Sequence, residues 1–338
     1  MKNIIICSDG TWNTPRQIDR NKLSPTNVSK IHSLLSPKGS NDLEQISLYD
    51  QGIGTEGNLL RRLYCGITGE GLIKNIKDCY RFLVETYTQG DPIYLYGFSR
   101  GAYTIRSLVG LLDRVGLVES TALIDEAFDR YRSPVDSGRE IRNHFKPQIE
   151  MLAVWDTVGS LGIPTRWNPY MKKHQFHNVK LSSLVNNAIH ALAIDEKRVS
   201  FKPTLWETSN EYGGNVEQRW FAGVHQNIGG GYSDSGLSDI SLQWVIDKSL
   251  KVGLGVDMEK TAVALSPRPG GELRDSMTWY YRILGKLDRK IQLGLESIDA
   301  SVKVRLASQD YSPSNRPEGI WHRYRKIKND DTDKVLTV

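Results

Sequence analysis

The pentapeptide at residues 97–101 constrains the fold more than any other part of this sequence. It reads Gly97-Phe98-Ser99-Arg100-Gly101, and it lies between an apolar run at 93–96 and a segment with helical spacing at 102–115. A chain that passes from a strand into a helix through so short a turn needs small residues, because the two backbones must pass closely. Such a turn lifts the serine hydroxyl above the sheet edge, beside a helix N-terminus whose dipole favours negative charge.

This order of strand, pentapeptide and helix is the nucleophile elbow of α/β-hydrolases. The pattern Gly-x-Ser-x-Gly alone has a chance expectation of about 0.2 in a chain of this length and composition, so its setting carries the weight. The alternative is an ordinary glycine-rich turn between a strand and a helix. We therefore take Ser99 as the candidate nucleophile and Gly97 and Gly101 as the residues that permit the turn.

Short apolar runs alternate with longer helical patterns in the first half of the chain, which predicts a mostly parallel central sheet flanked by helices. The predicted strands lie at 3–8, 45–49, 92–96, 151–155 and 219–224. The predicted helices lie at 27–35, 72–87, 102–115 and 238–251. The simplest organisation is one α/β-hydrolase domain over residues 1–325, with cap or lid insertions at about 117–150 and 157–180 and a charged tail at 326–338.

Composition excludes several classes of protein. No apolar run approaches the roughly 18 residues that cross a bilayer, and the apolar stretch at 4–7 is too short for a signal-peptide core. We therefore expect a protein that is cytoplasmic as synthesised, with export outside the Sec route left open. The 44 basic and 39 acidic residues give a net charge of +5, and no basic block interleaved with aromatic residues predicts nucleic-acid binding.

The cysteines indicate neither disulfides nor a metal site. Cys7, Cys65 and Cys79 are odd in number and lack the spacing of metal ligands. We expect them to be small buried residues in a reducing compartment. The sequence predicts no metal and no organic cofactor.

A serine nucleophile needs a base, and His225 is the candidate among seven histidines. It alone follows a predicted strand, at 219–224, and it opens a glycine-rich turn at 226–231. A loop after a strand at the carboxyl edge of the sheet is where the base of this fold belongs. The other interpretation is an ordinary core or surface histidine.

The third member of a triad is a carboxylate between the serine and the histidine in chain order. Asp156 ends the apolar segment Leu152–Trp155, where a carboxylate is costly unless it has a partner. Asp195 is the alternative acid. We expect it at a helix end beside other charged residues, in a solvated ion pair.

The loop after the first strand, Ser8-Asp9-Gly10-Thr11, is the candidate for part of an oxyanion hole. In α/β-hydrolases one donor is the amide of the residue after the nucleophile, here Arg100, and another comes from a neighbouring strand's loop, here Gly10 or Thr11. A haloacid-dehalogenase-type phosphatase would need an aspartate nucleophile at Cys7. That reading loses its essential residue.

Asp9 is expected to support this loop. A bare carboxylate that faced the reacting carbonyl would repel the oxyanion. We therefore predict that Asp9 points away and accepts hydrogen bonds from backbone amides of its own loop, which would hold Gly10 and Thr11 in place. The alternative is an aspartate in a surface turn.

Four segments together resemble one family. The chain resembles the catalytic domain of the Tle-type phospholipase effectors of type VI secretion and their uncharacterised bacterial and fungal relatives, over roughly residues 1–255. The segments are Ser8-Asp9-Gly10-Thr11-Trp12-Asn13, Gly97-Phe98-Ser99-Arg100-Gly101-Ala102, Val154-Trp155-Asp156-Thr157-Val158-Gly159 and Gly223-Val224-His225-Gln226-Asn227-Ile228-Gly229-Gly230-Gly231-Tyr232. Further matches lie at Tyr49–Thr55 and Ala193–Arg198.

The resemblance implies that Ser99, Asp156 and His225 form the family's triad and that the substrate is a lipid ester, hydrolysed in the manner of a phospholipase A. It allows peripheral contact with a membrane, and it leaves protein partners undefined. The chain departs from the family at Gln226 and Asn227, where Ser or Thr and then Asp are usual, and it leaves little length for the usual C-terminal membrane-engaging region. An esterase for soluble acyl substrates and a catalytically idle binding protein remain alternatives.

Overall fold

Seven parallel strands form the central sheet of the computed structural model, which describes residues 1–10, 13–51, 69–133, 144–158, 180–207, 212–291, 296–308 and 311–313. The strands are β1 (Asn3–Ser8), β2 (Gln45–Asp50), β3 (Ile93–Phe98), β4 (Ile149–Trp155), β5 (Val185–Ala193), β6 (Asn215–Phe221) and β7 (Glu296–Ile298). Their order across the sheet is β2-β1-β3-β4-β5-β6-β7, and every neighbouring pair is parallel. The predicted parallel α/β fold is confirmed.

Helices cover both faces of this sheet. They are α1 (Asn27–Leu34), α2 (Gly69–Thr86), α3 (Arg100–Arg114), α4 (Ile124–Arg132), α5 (His225–Gly229), α6 (Gly236–Leu250), α7 (Met258–Ala264), α8 (Trp279–Leu284) and α9 (Ala300–Ser308). Short antiparallel pairs join Ile18–Asp19 to Lys22–Leu23 and Leu117–Val118 to His144–Phe145. Single 3₁₀ turns occur at Thr121–Leu123 and Val199–Phe201.

Strands β1 and β3 are mostly apolar because both of their faces are buried. In β1, Ile4 and Ile6 join the apolar cluster that includes residues of α2, α3 and α4, whereas Ile5 and Cys7 join the cluster that includes residues of α1 and α6. Strand β3 alternates between the same two clusters. Successive side chains of a strand point to opposite faces, so each central strand serves two cores.

The order of the strands reverses direction between β1 and β3. After β1 the chain crosses to β2 on one side, and β3 then lies on the other side. In open parallel sheets the crevice for ligands lies at this switch point, beyond the carboxyl ends of the strands. Ser99 follows β3 and Asp9 follows β1, so both candidate loops lie at the switch point.

The glycines of the elbow permit close approach of backbones. A Cβ atom on Gly97 would lie 2.7 Å from the Cα atom of Ala102, and one on Gly101 would lie 2.1 Å from the carbonyl oxygen of Ser8. The first turn of α3 therefore rests directly on the ends of β1 and β3. These close approaches explain why glycine is needed at both positions, as the sequence pattern predicted.

Sequence analysis missed two strands of the sheet, β5 and β7, and β5 is the one that bears on the site. Its residues include Asn186, Asn187 and several alanines, which have low β propensity. Pairing with β4 on one side and β6 on the other places it in the sheet regardless of that propensity. As a consequence Asp195 follows a buried strand, and the expectation of a helix end at this position is wrong.

The described part of the first insertion contributes to the core. Leu117, Val118, Ile124 and Phe128 are each at most 2% exposed, and they belong to the same cluster as β1 and β3. Helix α4 packs against α2 and α3. The second predicted insertion lies outside the described residues apart from 157, 158 and 180, and the single-domain boundary at 325 stays a prediction.

Part of the region after residue 255 joins the sheet. Strand β7 pairs with β6, and the carboxylate of Glu296 accepts a hydrogen bond from the indole of Trp220 at 2.7 Å. Val302 of α9 is buried in a third apolar cluster with Leu192 and Trp220. The predicted charged tail at 326–338 lies outside the described residues.

Two of the cysteines are free and buried, as predicted, at Cys7 and Cys79. Cys65 lies outside the described residues. Among the helices that the structure describes, none is both long enough and apolar enough to cross a bilayer.

We predict that Gly101→Ala lowers the free energy of unfolding by about 1–3 kcal/mol, the usual cost of overpacking. The new methyl group would meet the Ser8 carbonyl, which is backbone and cannot move aside cheaply. Gly213→Ala is the matched control, because no atom lies within 4 Å of its Cβ position. Urea denaturation of both variants is the measurement, and equal unfolding midpoints would contradict the packing argument.

Candidate active site

Ser99, His225 and Asp156 form one hydrogen-bonded row. The distance from Ser99 Oγ to His225 Nε2 is 2.8 Å, and the distance from His225 Nδ1 to Asp156 Oδ2 is 2.5 Å. The three residues follow β3, β6 and β4, whose carboxyl ends meet at one edge of the sheet. They are 8%, 4% and 0% exposed, so solvent competes little for these hydrogen bonds.

Two of these residues occupy backbone conformations that L-amino acids rarely adopt. Ser99 has φ 57° and ψ −119°, and Asp156 has φ 40°. A positive φ at a non-glycine residue costs of order 1–3 kcal/mol, and such residues cluster at functional sites. The strain at Ser99 is the elbow that the sequence pattern predicted.

The imidazole of His225 lies between two aromatic rings. The ring centroid of Phe98 is 4.6 Å from that of His225, and the ring centroid of Phe201 is 4.9 Å away in an edge-on arrangement. Burial lowers the pKa of His225, although its hydrogen bond and charge interaction with Asp156 oppose the shift. The ring is therefore neutral near pH 7, with Nδ1 donating to Asp156 and Nε2 open to accept a proton.

Asp156 has four hydrogen-bond donors around its carboxylate. Oδ2 accepts from His225 and from Arg289 Nη2 at 2.9 Å, whereas Oδ1 accepts from Arg289 Nη1 at 2.5 Å and from the amide of Ala193 at 3.1 Å. Burial alone would raise the pKa of Asp156, but the charge of Arg289 and the hydrogen bond of His225 outweigh burial and hold it below its ordinary value. The carboxylate is therefore ionised.

Sequence reasoning missed Arg289. It lies 133 positions from Asp156 in a region without clear periodicity. Its guanidinium also donates to the carbonyl of Ala193 at 2.8 Å and to that of Phe201 at 2.6 Å. No local signal separates it from the other 43 basic residues of the chain, so only the folded structure identifies it.

A second buried ion pair lies on the other side of His225. Arg198 pairs with Glu196 through Nε at 2.9 Å and Nη2 at 2.8 Å, and Glu196 Oε2 accepts from the backbone amide of His225 at 3.2 Å. Burial would raise the pKa of Glu196, but Arg198 lowers it to about 2. The guanidinium of Arg198 also stacks on the ring of Phe201, 3.3 Å from its centroid. Arg198 thus braces the ring that contacts the imidazole.

Asp195 is engaged elsewhere. Its Oδ2 accepts from the amide of Gly223 and from the hydroxyl of Tyr311, both at 2.7 Å. Burial raises its pKa, and these two hydrogen bonds oppose the shift. The expected solvated ion pair is wrong, because β5 carries this residue into the interior beside the loop that precedes His225.

The structure treats the three candidate oxyanion-hole residues differently: Arg100 stays a candidate donor, Gly10 does not, and Thr11 is not described. The amide of Arg100 begins α3, where N–H groups lack intrahelical acceptors. The amide of Gly10 donates to Asp9 Oδ1 at 2.7 Å, so the expectation that it binds an oxyanion is corrected. Thr11 lies outside the described residues. Gly10 is nevertheless close to the nucleophile, since a Cβ atom there would lie 3.2 Å from Ser99 Cβ.

Asp9 is buried and holds the first loop to its surroundings. Besides the Gly10 amide, its carboxylate accepts from the Thr26 hydroxyl at 2.5 Å, the Tyr49 hydroxyl at 2.6 Å and Asn13 Nδ2 at 3.4 Å. The predicted bond to its own loop is present, but the hydroxyls come from the N-cap residue of α1 and from β2. Burial raises the pKa of Asp9, and the hydrogen bonds oppose the shift. The alternative of a surface turn is excluded.

The departure from the family pattern at Asn227 has a structural role. Its Oδ1 accepts from the Val224 amide at 3.3 Å, and its Nδ2 donates to the Glu272 carbonyl at 2.9 Å. Asn227 therefore ties the turn that carries His225 to the C-terminal region.

A cavity of about 650 Å³ adjoins this loop. Val224 and Asp195 line it together with the basic residues Lys197, Arg274, Arg282 and Lys286. Three of these cations are paired, Arg274 with Asp19, Arg282 with Asp275 and Lys286 with Asp288. Among the described residues, no cluster of three or more histidine, cysteine, aspartate or glutamate side chains is arranged to hold a metal ion.

The parallel sheet, the strained serine after β3 and the histidine after β6 define an α/β-hydrolase fold. The family model of the type VI secretion system phospholipase effector Tle1-like catalytic domain matches residues 2–248. The chain therefore belongs to this family, as the motifs in its sequence indicate.

Individual relatives are more distant. The uncharacterized protein YEL023C of Saccharomyces cerevisiae is 28% identical over 235 residues, which cover 60% of this chain and 32% of the yeast protein. An uncharacterized protein from Pseudomonas aeruginosa is 17% identical, with a TM-score of 0.44, and the match covers 76% of this chain and 46% of that one. The Tle1 effector in complex with the VgrG spike is 18% identical, with a TM-score of 0.42 and coverages of 69% and 52%. The chain thus spans about a third to a half of the length of these proteins.

We predict that Asp9→Ala lowers the free energy of unfolding by about 3 kcal/mol or more, because each buried donor left without an acceptor costs roughly 1–3 kcal/mol. Asp9→Asn should cost much less, since the hydroxyls of Thr26 and Tyr49 can accept as well as donate and a buried charge is removed. Urea denaturation is the measurement. Equal stability of the two variants would show that the hydrogen bonds to Asp9 contribute little.

Proposed function

We propose that this protein is a serine hydrolase that cleaves carboxylic esters of phospholipids through an acyl-enzyme. The single observation that carries the proposal is the row Ser99–His225–Asp156, with hydrogen bonds of 2.8 and 2.5 Å, on a strained elbow at the edge of a parallel sheet. A nucleophile, a base and an orienting acid within hydrogen-bond reach are the signature of covalent acyl transfer.

The reaction begins with proton transfer from Ser99 Oγ to His225 Nε2 while Oγ attacks the ester carbonyl carbon. The lowered pKa of His225 keeps the ring neutral and able to accept this proton. Asp156 fixes the tautomer with the proton on Nδ1, and its negative charge stabilises the imidazolium. His225 then gives the proton to the departing alcohol, and water releases the acyl group by the same steps.

The tetrahedral intermediate carries a negative charge that the site must stabilise. The Arg100 amide is the donor we assign, because it lies at the positive end of α3, next to the nucleophile. Gly10 does not supply a donor. Its lack of a side chain leaves room beside Ser99. Thr11 remains the candidate for the second donor.

The choice of phospholipid follows from membership of the phospholipase effector family over residues 2–248. A bilayer substrate implies peripheral contact with a membrane. An esterase acting on soluble acyl compounds would use the same three residues, and a catalytically idle binding protein would use none of them. Substrate comparison and covalent labelling separate these cases.

We predict that Ser99→Ala and His225→Ala each lower turnover by about 10⁴-fold or more, and that the double variant is little worse than either one, because the residues act as a unit. The assay compares phospholipid vesicles with short-chain soluble esters, and a fluorophosphonate probe reports the reactivity of Ser99. Activity on soluble esters alone would refute the lipid substrate. Undiminished turnover in Ser99→Ala would refute the nucleophile.

We predict that Asp156→Asn lowers turnover by about 10⁴-fold, because the imidazole loses its correct tautomer. It should also destabilise the fold by about 3 kcal/mol, since Arg289 is left buried without a counter-charge. Asp195→Asn is the control and should affect mainly stability, by on the order of 1 kcal/mol. Turnover and thermal unfolding, measured side by side, test both statements. An inactive but folded Asp195→Asn together with an active Asp156→Asn would reverse the assignment.

A further inference from the structure

The segment that carries Arg289 lies beyond the family model, which ends at residue 248. It runs beside the loop after β5. The backbones of Lys286 and Arg198 form an isolated antiparallel β-bridge, and the amide of Leu287 donates to the carbonyl of Lys197 at 2.9 Å. These contacts bring Arg289 to Asp156. The side chain of Arg289 is 2% exposed, so it reaches the carboxylate through the protein interior.

The contacts of Arg289 restrict the rotation of the Asp156 carboxylate. Each carboxylate oxygen receives one guanidinium N–H and one further donor, the Ala193 amide on Oδ1 and the His225 ring on Oδ2. Four donors occupy the directions in which an ionised carboxylate accepts. A paired guanidinium fork also fixes the plane of its carboxylate, and rotation of that plane would break several strong hydrogen bonds together.

We propose that Arg289 is a positioning residue, which holds Asp156 in the orientation from which it accepts the Nδ1 proton of His225, so that the C-terminal segment completes the catalytic site. This inference rests on the proposed hydrolysis by Ser99. It assigns a function to the region after residue 255 that the family motifs do not cover. Arg289 also holds the carbonyl of Phe201, whose ring contacts the imidazole, so one side chain positions two neighbours of His225.

Arg289 and His225 both bind the negatively charged carboxylate of Asp156. The charged groups around the imidazole are Asp156 after β4 and Glu196 and Arg198 after β5, and Arg289 from the C-terminal segment binds Asp156 behind them. The two carboxylates and the two guanidinium groups balance, so the surroundings of a neutral ring carry no net charge. Removal of Arg289 leaves a net negative charge beside the ring, which favours the imidazolium and raises the pKa of His225.

The test compares Arg289→Met, which removes the charge, with Arg289→Lys, which keeps the charge but loses the fork. We expect Arg289→Met to lower kcat by about 10²-fold, the scale of a small misplacement of a catalytic group, with KM within about threefold of the wild-type value. The acid limb of the pH profile of kcat/KM should move to higher pH by about one unit. Arg289→Lys should show an intermediate kcat with an acid limb near that of the wild type.

Arg305→Met is the matched control. Arg305 also comes from the C-terminal region, is 5% exposed and donates to the backbone carbonyls of Pro269 and Gly271, at 2.5 and 2.8 Å. We expect this variant to unfold at a lower temperature but to keep the wild-type kcat and acid limb. A structural role for Arg289 would make the two Met variants alike.

Two measurements do not depend on turnover. An NMR titration of the His225 ring should show a higher pKa in Arg289→Met than in the wild type. Asp156→Asn combined with Arg289→Met should unfold at a higher temperature than Asp156→Asn alone, because the second substitution removes an uncompensated buried charge. If the wild type neither hydrolyses esters nor reacts with a fluorophosphonate, the proposed function fails. The two measurements still decide whether Arg289 affects the pKa of His225 and the stability of buried Asp156.

The proposal is overturned if Arg289→Met keeps the wild-type kcat or if its acid limb does not move. It is also overturned if Arg305→Met reproduces both changes. Should Arg289→Met fail to fold, Arg289→Lys decides, since wild-type kcat without the fork would show that positioning by Arg289 is unnecessary.

Discussion

The ionised carboxylate of Asp156, with no exposure to solvent, is the group on which the rest of the site depends. An isolated buried charge is costly, and a pair is favourable only when its geometry is good and the remaining hydrogen-bond positions are filled. Arg289, the Ala193 amide and the His225 ring together fill the acceptor positions of the carboxylate. The end of β5 supplies the Ala193 amide to this carboxylate, and the chain after α8 supplies the guanidinium.

The parallel sheet brings the candidate residues together at the carboxyl ends of its strands. Because β1, β3, β4 and β6 run in the same direction, Asp9, Ser99, Asp156 and His225 emerge at one edge. The reversal of strand order between β1 and β3 places Asp9 and Ser99 at the switch point, which is where open parallel sheets bind ligands. The two clusters that cover the faces make this edge rigid, and rigidity is what allows Ser99 and Asp156 to keep positive φ values.

The parts of the fold that sequence analysis predicted are those with local signals. The apolar runs of β1, β3 and β4 gave these strands to within two residues, and the glycines around Ser99 gave the elbow. Strand β5 escaped because its alanines and asparagines carry no strand signal and only its two neighbours place it in the sheet. Asp195 was misplaced for the same reason. Arg289 escaped because its role exists only once residues 133 positions apart are packed together.

The span that matches the family model is therefore not the span that folds around the site. Residues 2–248 contain the serine, the acid and the histidine, yet the charge that balances the acid comes from residue 289. The indole of Trp220 likewise donates to Glu296, and Val302 covers the apolar cluster beside β6. A motif contains residues that share a local sequence pattern. A buried charge, in contrast, can be neutralised by a residue from any segment that packs against it, as Arg289 does for Asp156.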